Sequence, residues 1–417
     1  MPIPCPPSLS LFHLQSIRTH WHFIFSCQTI TSCTMDPNVL MALKYHFYFL
    51  LLLSATCLKL SSSIPDTETD HDKKVSWNID NHRRREILES KSNLQAPAGS
   101  TGKVLDDKLR KAEMRNMTLT VNQNGTGDFK TIGEALKSIP PYNTRRVIIA
   151  IKPGVYREKI AIPRTLPFIT FLGDSSDPPI ITGNDTASSL SGKDGKPLRT
   201  FQSATVAVDA NYFTAINVKF ENTATHEIGS KGGQGVALRI SGTKAAFYNC
   251  SFYGSQDTLY DHKGLHYFSN CFIQGSVDFI FGSGRSLYEN CHLNSVTKKV
   301  ASLTAQKRSN SSLESGFSFK DCVVTGSGLV YLGRAWGDYS RVVFSYTYMD
   351  RVVLPQGWND WGDQNRDTRV FYGEYKCSGP GANFAGRVPW ARILTDEEAQ
   401  PFIGTSYVDG DTWLITP

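Results

Sequence analysis

The chain has 417 residues, 40% hydrophobic and 20% charged, with 33 Gly, 20 Pro and a formal net charge of +6. This is the composition of a soluble globular protein, and it excludes collagen-like and low-complexity chains. A basic balance suits nucleic acid, a membrane surface or an acidic polysaccharide, but no Lys/Arg stripe interleaved with aromatics runs through the body, which argues against nucleic acid.

Residues 1–40 carry no recognisable pattern and read as a gene-model extension if translation starts at Met35 or Met41. The segment 41–63 opens Met41-Ala-Leu-Lys-Tyr-His46 and continues into the apolar run Phe47–Cys57. A basic start before a short apolar run reads as a secretory signal peptide, with a signal anchor as the alternative; the run is short for a spanning helix. Residues 64–116 are Ser-, Asp- and Lys-rich and read as a polar linker or propeptide. Their run His82-Arg-Arg-Arg-Glu86 is a processing site or a solvated charge cluster.

The body, 117–417, opens with a strand at Thr118–Val121 and a loop at Asn122–Asp128. A short amphipathic helix follows over Thr131–Ile139, apolar at Ile132, Leu136 and Ile139, and Pro140-Pro141 stops it. Helical patterns then vanish until the stretch near Asp396. Short β-type runs take over, among them Val147–Ile151, Phe168–Leu172 and Ala215–Phe220. Four related segments come next: Phe247-Tyr-Asn-Cys-Ser-Phe252, Tyr267-Phe-Ser-Asn-Cys-Phe272, Leu287-Tyr-Glu-Asn-Cys-His-Leu293 and Phe317-Ser-Phe-Lys-Asp-Cys-Val323. Their cysteines step by 21, 20 and 31 residues, the long step holding an insertion at Val296–Ser315.

A repeat of this length with insertions on one face marks a solenoid, here an all-β right-handed parallel β-helix with short terminal helices. A sandwich or a propeller would need hairpin turns between adjacent strands, and Asn-Gly or Asp-Gly hairpins are scarce. Of nine cysteines, five lie in the body: Cys250, Cys271, Cys291, Cys322 and Cys377. None forms a CxxC pair, which argues against zinc. They read as small apolar residues in a core ladder, with a disulfide such as Cys250–Cys271 as the alternative.

The repeat also carries the chemistry. Asp257, in Gly254-Ser-Gln-Asp257, and Asp278, in Gly275-Ser-Val-Asp278, lie 21 residues apart. Equivalent positions one coil apart sit about 4.8 Å apart, so the fold pairs two carboxylates, which are acid/base or nucleophilic equipment. Each Asp alone could simply cap a turn. Arg334, in Leu332-Gly-Arg-Ala-Trp336, could hold one carboxylate ionised or be a surface residue beside a core Trp. Gln234 and Gln256 are neutral amides suited to an oxyanion hole or to plain polar surface. No GxSxG elbow and no zinc-type histidine spacing occurs. The set fits an Asp-based nucleophilic hydrolase, and a glycosidase would also use two carboxylates.

From Met117 to about Trp413 the chain resembles plant pectin methylesterases. The matching segments are Gly154-Val-Tyr-Arg-Glu158, Gln234-Gly-Val-Ala-Leu238, Gln256-Asp-Thr-Leu-Tyr260, Val277-Asp-Phe-Ile-Phe-Gly282 and Leu332-Gly-Arg-Ala-Trp336. The resemblance implies a single-stranded, pectin-lyase-like solenoid and a cofactor-free, metal-free esterase acting on methylated homogalacturonan. It implies Asp278 as nucleophile, Asp257 as proton donor and later base, Gln256 and Gln234 as oxyanion stabilisers, and Arg334 as the residue orienting Asp278. It places Thr200, Gln234, Arg334 and Trp336 at substrate, with Tyr260 and Trp358 as aromatic walls of the sugar groove.

Two positions depart from the family pattern: Gly235 stands where Ala is usual and Ala335 where Pro is commoner. Residues 61–115 are too few and too polar for the inhibitor-like helical prodomain of many relatives. The implied protein is a secreted, cell-wall monomer with no membrane segment in its mature form and a proteinaceous pectinesterase inhibitor as a partner. A polygalacturonase or lyase on the same scaffold, and a non-catalytic polysaccharide-binding protein, are the alternatives. Sequons stand at Asn116, Asn124, Asn184, Asn249 and Asn310, with Asn249 expected to be shielded inside the repeat.

Overall fold

The computed structural model describes residues 105–224 and 231–417. The expected extension, signal peptide, most of the linker and any prodomain fall outside the described residues. Among the described residues no helix is long and apolar enough to cross a membrane.

The chain winds into a right-handed parallel β-helix with three strand-bearing faces. One face is a sheet of eleven strands, from Met117–Val121 through Ala245–Tyr248, Leu265–Ser269 and Arg285–Glu289 to Arg392–Ile393. The other two faces belong to one fourteen-stranded sheet, because the long strands His292–Gln306 and Val323–Ala335 bend round the corner between them. All named strand pairs are parallel, so every coil stacks directly on the one before. The insertion expected at Val296–Ser315 is therefore half strand. Register breaks only between Val296 and Val300, and residues 301–306 rejoin the ladder.

The Asn-Cys repeat has a geometric origin. Asn217, Asn249, Asn270, Asn290 and Asp321 all have φ between 50° and 58° and occupy one corner of successive coils. Asn and Asp tolerate this left-handed conformation better than other residues with a Cβ. The turn then throws the next side chain inward, so Val218, Cys250, Cys271, Cys291 and Cys322 are all buried. The five body cysteines are free thiols, as the core-ladder reading expects. Burial pushes the Cys250 thiol up to about 12, which leaves it inert. One expectation fails here: Asn249 is exposed at its corner, where its Nδ2 donates to Asn217 Oδ1 at 2.7 Å.

Within the core, register makes like stack on like. Phe247, Phe268, Tyr288, Phe319 and Phe344 are consecutive ladder partners, with ring centroids 4.7, 4.5, 4.6 and 4.5 Å apart. The sixth position is Glu374, buried and paired with Arg387, whose Nε donates to it at 2.7 Å. A second buried network ties two coils together. Asp261 Oδ2 accepts from the Tyr288 hydroxyl at 2.7 Å, and its Oδ1 lies 2.5 Å from His266 Nδ1.

The N-terminal end of the solenoid is covered. The helix Ile132–Ser138 has a Thr131/Glu134 capping box and buries Ile132, Ala135 and Leu136 over the first coil. Glu158 accepts from the backbone N–H groups of Ile132 and Gly133, both at 2.9 Å, so the Gly154–Glu158 motif anchors the helix N-terminus. The folded body also begins before the expected Met117. The helix Asp107–Glu113 buries Leu109 and Ala112, and Asp106 accepts from the Tyr212 hydroxyl at 2.7 Å and from Lys244 at 3.1 Å. Polar composition concealed this because two apolar residues suffice to dock one short helix.

Phe319 sits mid-stack and fully buried. Phe319→Ala is expected to lower stability by about 3–5 kcal/mol, read as an earlier denaturant midpoint; a midpoint within error of the parent would contradict the load assigned to the stack.

Candidate active site

One row of outward-facing residues runs across the coils on the third face: Ala207, Arg239, Tyr260, Phe281, Ala305, Arg334 and Asn359 are consecutive register partners. Asp257 and Asp278 lie in the turns that lead into two of these strands, three residues before Tyr260 and Phe281. Both have positive φ, 65° and 48°. The ladder persists through the turns: Asp257 N–H donates to the Val277 carbonyl at 3.1 Å and Asp278 N–H to Ser302 at 2.8 Å. The two aspartates are therefore equivalent residues of adjacent coils, as the repeat implied. Turn packing leaves no room at Gly275, where a Cβ would lie 2.2 Å from the Phe279 Cβ. The hydroxyls of Ser255 and Ser276, one coil apart, lie 3.0 Å from each other.

Both carboxylates are buried, and burial drives a carboxyl toward its neutral form. Burial and then the charge of Asp278 hold Asp257 well above the usual carboxylate range, against weaker opposing effects of Arg334 and a Gln256 hydrogen bond. Burial also raises Asp278, but there Arg334 opposes it directly. The guanidinium forks onto Asp278, Nε donating to Oδ1 at 2.7 Å and Nη2 to Oδ2. No hydrogen bond joins Arg334 to Asp257. The pair is asymmetric: burial pushes both carboxyls up, Asp257 well above the usual range, and only Asp278 has a guanidinium hydrogen-bonded to it to favour the anion.

The amides gather beside this pair. Gln234 Nε2 donates to Thr200 Oγ1 at 3.0 Å, which fixes the amide on the short helix Arg199–Gln202. Gln256 adjoins Asp257, and its backbone carbonyl accepts from Gly235 N–H at 3.2 Å. Tyr260 stacks on Phe281 at 4.2 Å, and Trp336 packs on the same patch 6.1 Å from Phe281. Asp257, Asp278, Gln234, Gln256, Arg334, Thr200, Tyr260 and Trp336 thus share one face.

Trp358 does not, and its assignment as a groove wall is corrected. It is 1% exposed, stacks on Tyr372 at 4.4 Å and donates its indole N–H to Glu374 at 3.1 Å. Parity explains the error: Asn359 is the register partner of outward Arg334, so Trp358 points inward. The exposed aromatic is Trp361, three residues on. Motif reading also missed Phe201, 43% exposed and covered by the Arg239 guanidinium at 3.8 Å, and Lys307, 4.2 Å above the Trp336 ring. The signal for Phe201 was its place beside Thr200. Near them His262, pulled down to about 4 by burial and by Arg239, stays neutral.

A family model described as Pectinesterase matches residues 118–411. Pectinesterase QRT1 of Arabidopsis thaliana is 45% identical over 298 residues, covering 71% of this chain and 78% of its own length. A solved pectin methylesterase from carrot superposes with a TM-score of 0.66 at 35% identity, over 71% of this chain and 94% of its own. Pectin methylesterase PemA from Erwinia chrysanthemi superposes with 0.61 at 28% identity, over 72% and 98%. With the solenoid, these relatives define a carboxylic ester hydrolase built on a parallel β-helix. The chain belongs to the pectinesterase family.

Gly235 is where the family's usual Ala is missing, and the surroundings give a reason. A Cβ there would lie 2.7 Å from the Asp185 carbonyl oxygen and 2.9 Å from the Asn222 amide. Gly235→Ala is expected to cost about 1–3 kcal/mol, seen as a lower melting temperature; an unchanged melt would show that the Asp185 loop yields freely.

Proposed function

We propose that the protein hydrolyses the methyl esters of homogalacturonan to pectate and methanol, with Asp278 as nucleophile and Asp257 as general acid and base. As a pectinesterase it needs a group to attack the ester carbonyl and a proton for the departing methoxide. The observation that carries the assignment is the Arg334 fork on Asp278, without a counterpart at Asp257. An anion is the better nucleophile, and a carboxyl held neutral is the better proton donor.

In the first half, an Asp278 carboxylate oxygen attacks the ester carbon. The tetrahedral oxyanion is stabilised by the side-chain amides of Gln256 and Gln234, neutral donors aimed at developing charge. The C–O bond to methoxide breaks as Asp257 delivers its proton, and methanol leaves an acyl-enzyme anhydride on Asp278. In the second half, the Asp257 carboxylate takes a proton from water, the hydroxyl adds to the acyl carbon, and Asp278 departs as a carboxylate. Both aspartates end as they began. Thr200, Gln234, Arg334, Trp336 and Tyr260 hold the polymer.

In this reading the catalytic domain is the stretch 117–417 together with the helix Asp107–Glu113 docked on it, and it works as a monomer without a cofactor. Residues 41–63 direct it to the cell wall, some sequons carry glycans, and a proteinaceous inhibitor acts on the open groove.

Purified protein assayed on methylated pectin is expected to release methanol without new reducing or unsaturated ends. Chain scission without methanol would instead indicate a polygalacturonase or lyase, and no product at all a binding protein. Asp278→Asn is expected to abolish methanol release with the fold intact, and Asp257→Asn to slow it about 10²–10⁴-fold. Near-normal turnover by the Asp278 variant would refute the nucleophile. The rate should rise with pH as Asp278 ionises and fall as Asp257 loses its proton, a bell whose limbs belong to the coupled pair.

A further inference from the structure

The Arg334 guanidinium has an edge and a plane, and the mechanism above uses only the edge. Its plane lies on Trp361, the guanidinium carbon 3.9 Å from the ring centroid. Arg334 is thus held between Asp278 at its edge and an indole at its face, an arrangement in which the ring quadrupole attracts the cation.

The way Trp361 is presented supports a dedicated role. It is 39% exposed and belongs to none of the hydrophobic cores among the described residues, so core filling does not account for its place. Its φ is 64°, a left-handed conformation uncommon for a bulky residue. Backbone strain of this kind persists only where the surroundings over-determine it, and they do so here. Trp361 N–H donates to Asn359 Oδ1 at 2.9 Å, Gly362 N–H donates to Asp360 Oδ1 at 2.8 Å, and Asn359 is the register partner of Arg334 itself. The far end of the loop returns to the same strand. Arg366 Nη1 donates to the Ala335 carbonyl at 2.5 Å, and its Nε donates to Asp338 at 3.1 Å. The loop is pinned on both sides of Arg334 and delivers one aromatic plane onto it.

We infer that Trp361 is a positioning residue: it clamps the Arg334 guanidinium in the orientation that forks onto Asp278 and screens the outer side of that ion pair from water. Its effect on catalysis passes through Arg334 and not through contact with the reacting atoms. The inference rests on the assignment of Asp278 as nucleophile.

The groups facing Asp278 are Arg334, Asp257 and, from the strand Phe371–Tyr375, Tyr372. Loosening Arg334 leaves burial less opposed, so Asp278 ionises at higher pH. Methanol release should be measured against pH and substrate concentration for Trp361→Ala, Trp361→Leu and Trp361→Phe. Ala and Leu are expected to lower kcat roughly tenfold and to move the acid limb of the profile to higher pH, while Phe recovers most of both. Leu fills space without a π face, so a Leu variant matching the parent would overturn the cation–π role. A rise in KM alone, with kcat and the acid limb unmoved, would make Trp361 a sugar-stacking wall and overturn it too. The outcomes separate cleanly from the underlying reading. An active Asp278→Asn enzyme sinks the nucleophile, whereas an inactive one beside an unmoved Trp361→Ala acid limb sinks only this inference.

Discussion

Each coil of this protein must hydrogen-bond to the coils above and below it. Buried backbone groups need partners, and on parallel strands the only partners are the equivalent residues one turn away. That in-register stacking governs the rest. It forces aromatic onto aromatic in the core, from Phe247 to Phe344. It places a left-handed Asn or Asp at the same corner of successive coils. It also sets Asp257 directly beside Asp278, where two buried carboxylates could not both be charged without a compensating cation.

The cation arrives by the same rule. Arg334 belongs to the outward row that also contains Tyr260 and Phe281, two coils along from Phe281. Asp278 can reach it, and Arg334 makes no hydrogen bond to Asp257. One ladder thus creates both the electrostatic conflict and its resolution, and the resolution is one-sided. The difference between a held proton and an available anion comes from position along the stack, since both groups are the same residue type in similar turns.

Much of this was legible in the residues. The Asn-Cys repeat with steps of 20 and 21 residues specifies the coil, and the pair Asp257/Asp278 follows from it. The short helix with its Thr131 cap was marked by periodicity and by Pro140-Pro141. What escaped was register beyond the irregular step of 31 residues. Inward and outward alternate every residue, so one uncertain bulge between Val296 and Val300 is enough to lose the parity of everything after it. Trp358, placed in the groove by resemblance alone, falls on the inward parity, and Trp361 carries the exposure. Asn249 was misjudged for a related reason: a residue inside a buried repeat can still sit at its corner.

The ladder also limits how the protein can change. A coil contributes one strand spacing, about 4.8 Å, and ends only when the corner residue returns to its own column. Adding or deleting a few residues within the strand-and-corner frame would rotate every later side chain out of its stack, carrying any downstream carboxylate or arginine with it. Length can vary harmlessly only where the chain leaves the frame and re-enters at the same point, as residues 307–315 do. Descendants of this scaffold can therefore lengthen their groove in whole turns or remodel its rim, but they cannot shift the reacting groups by fractions of a coil.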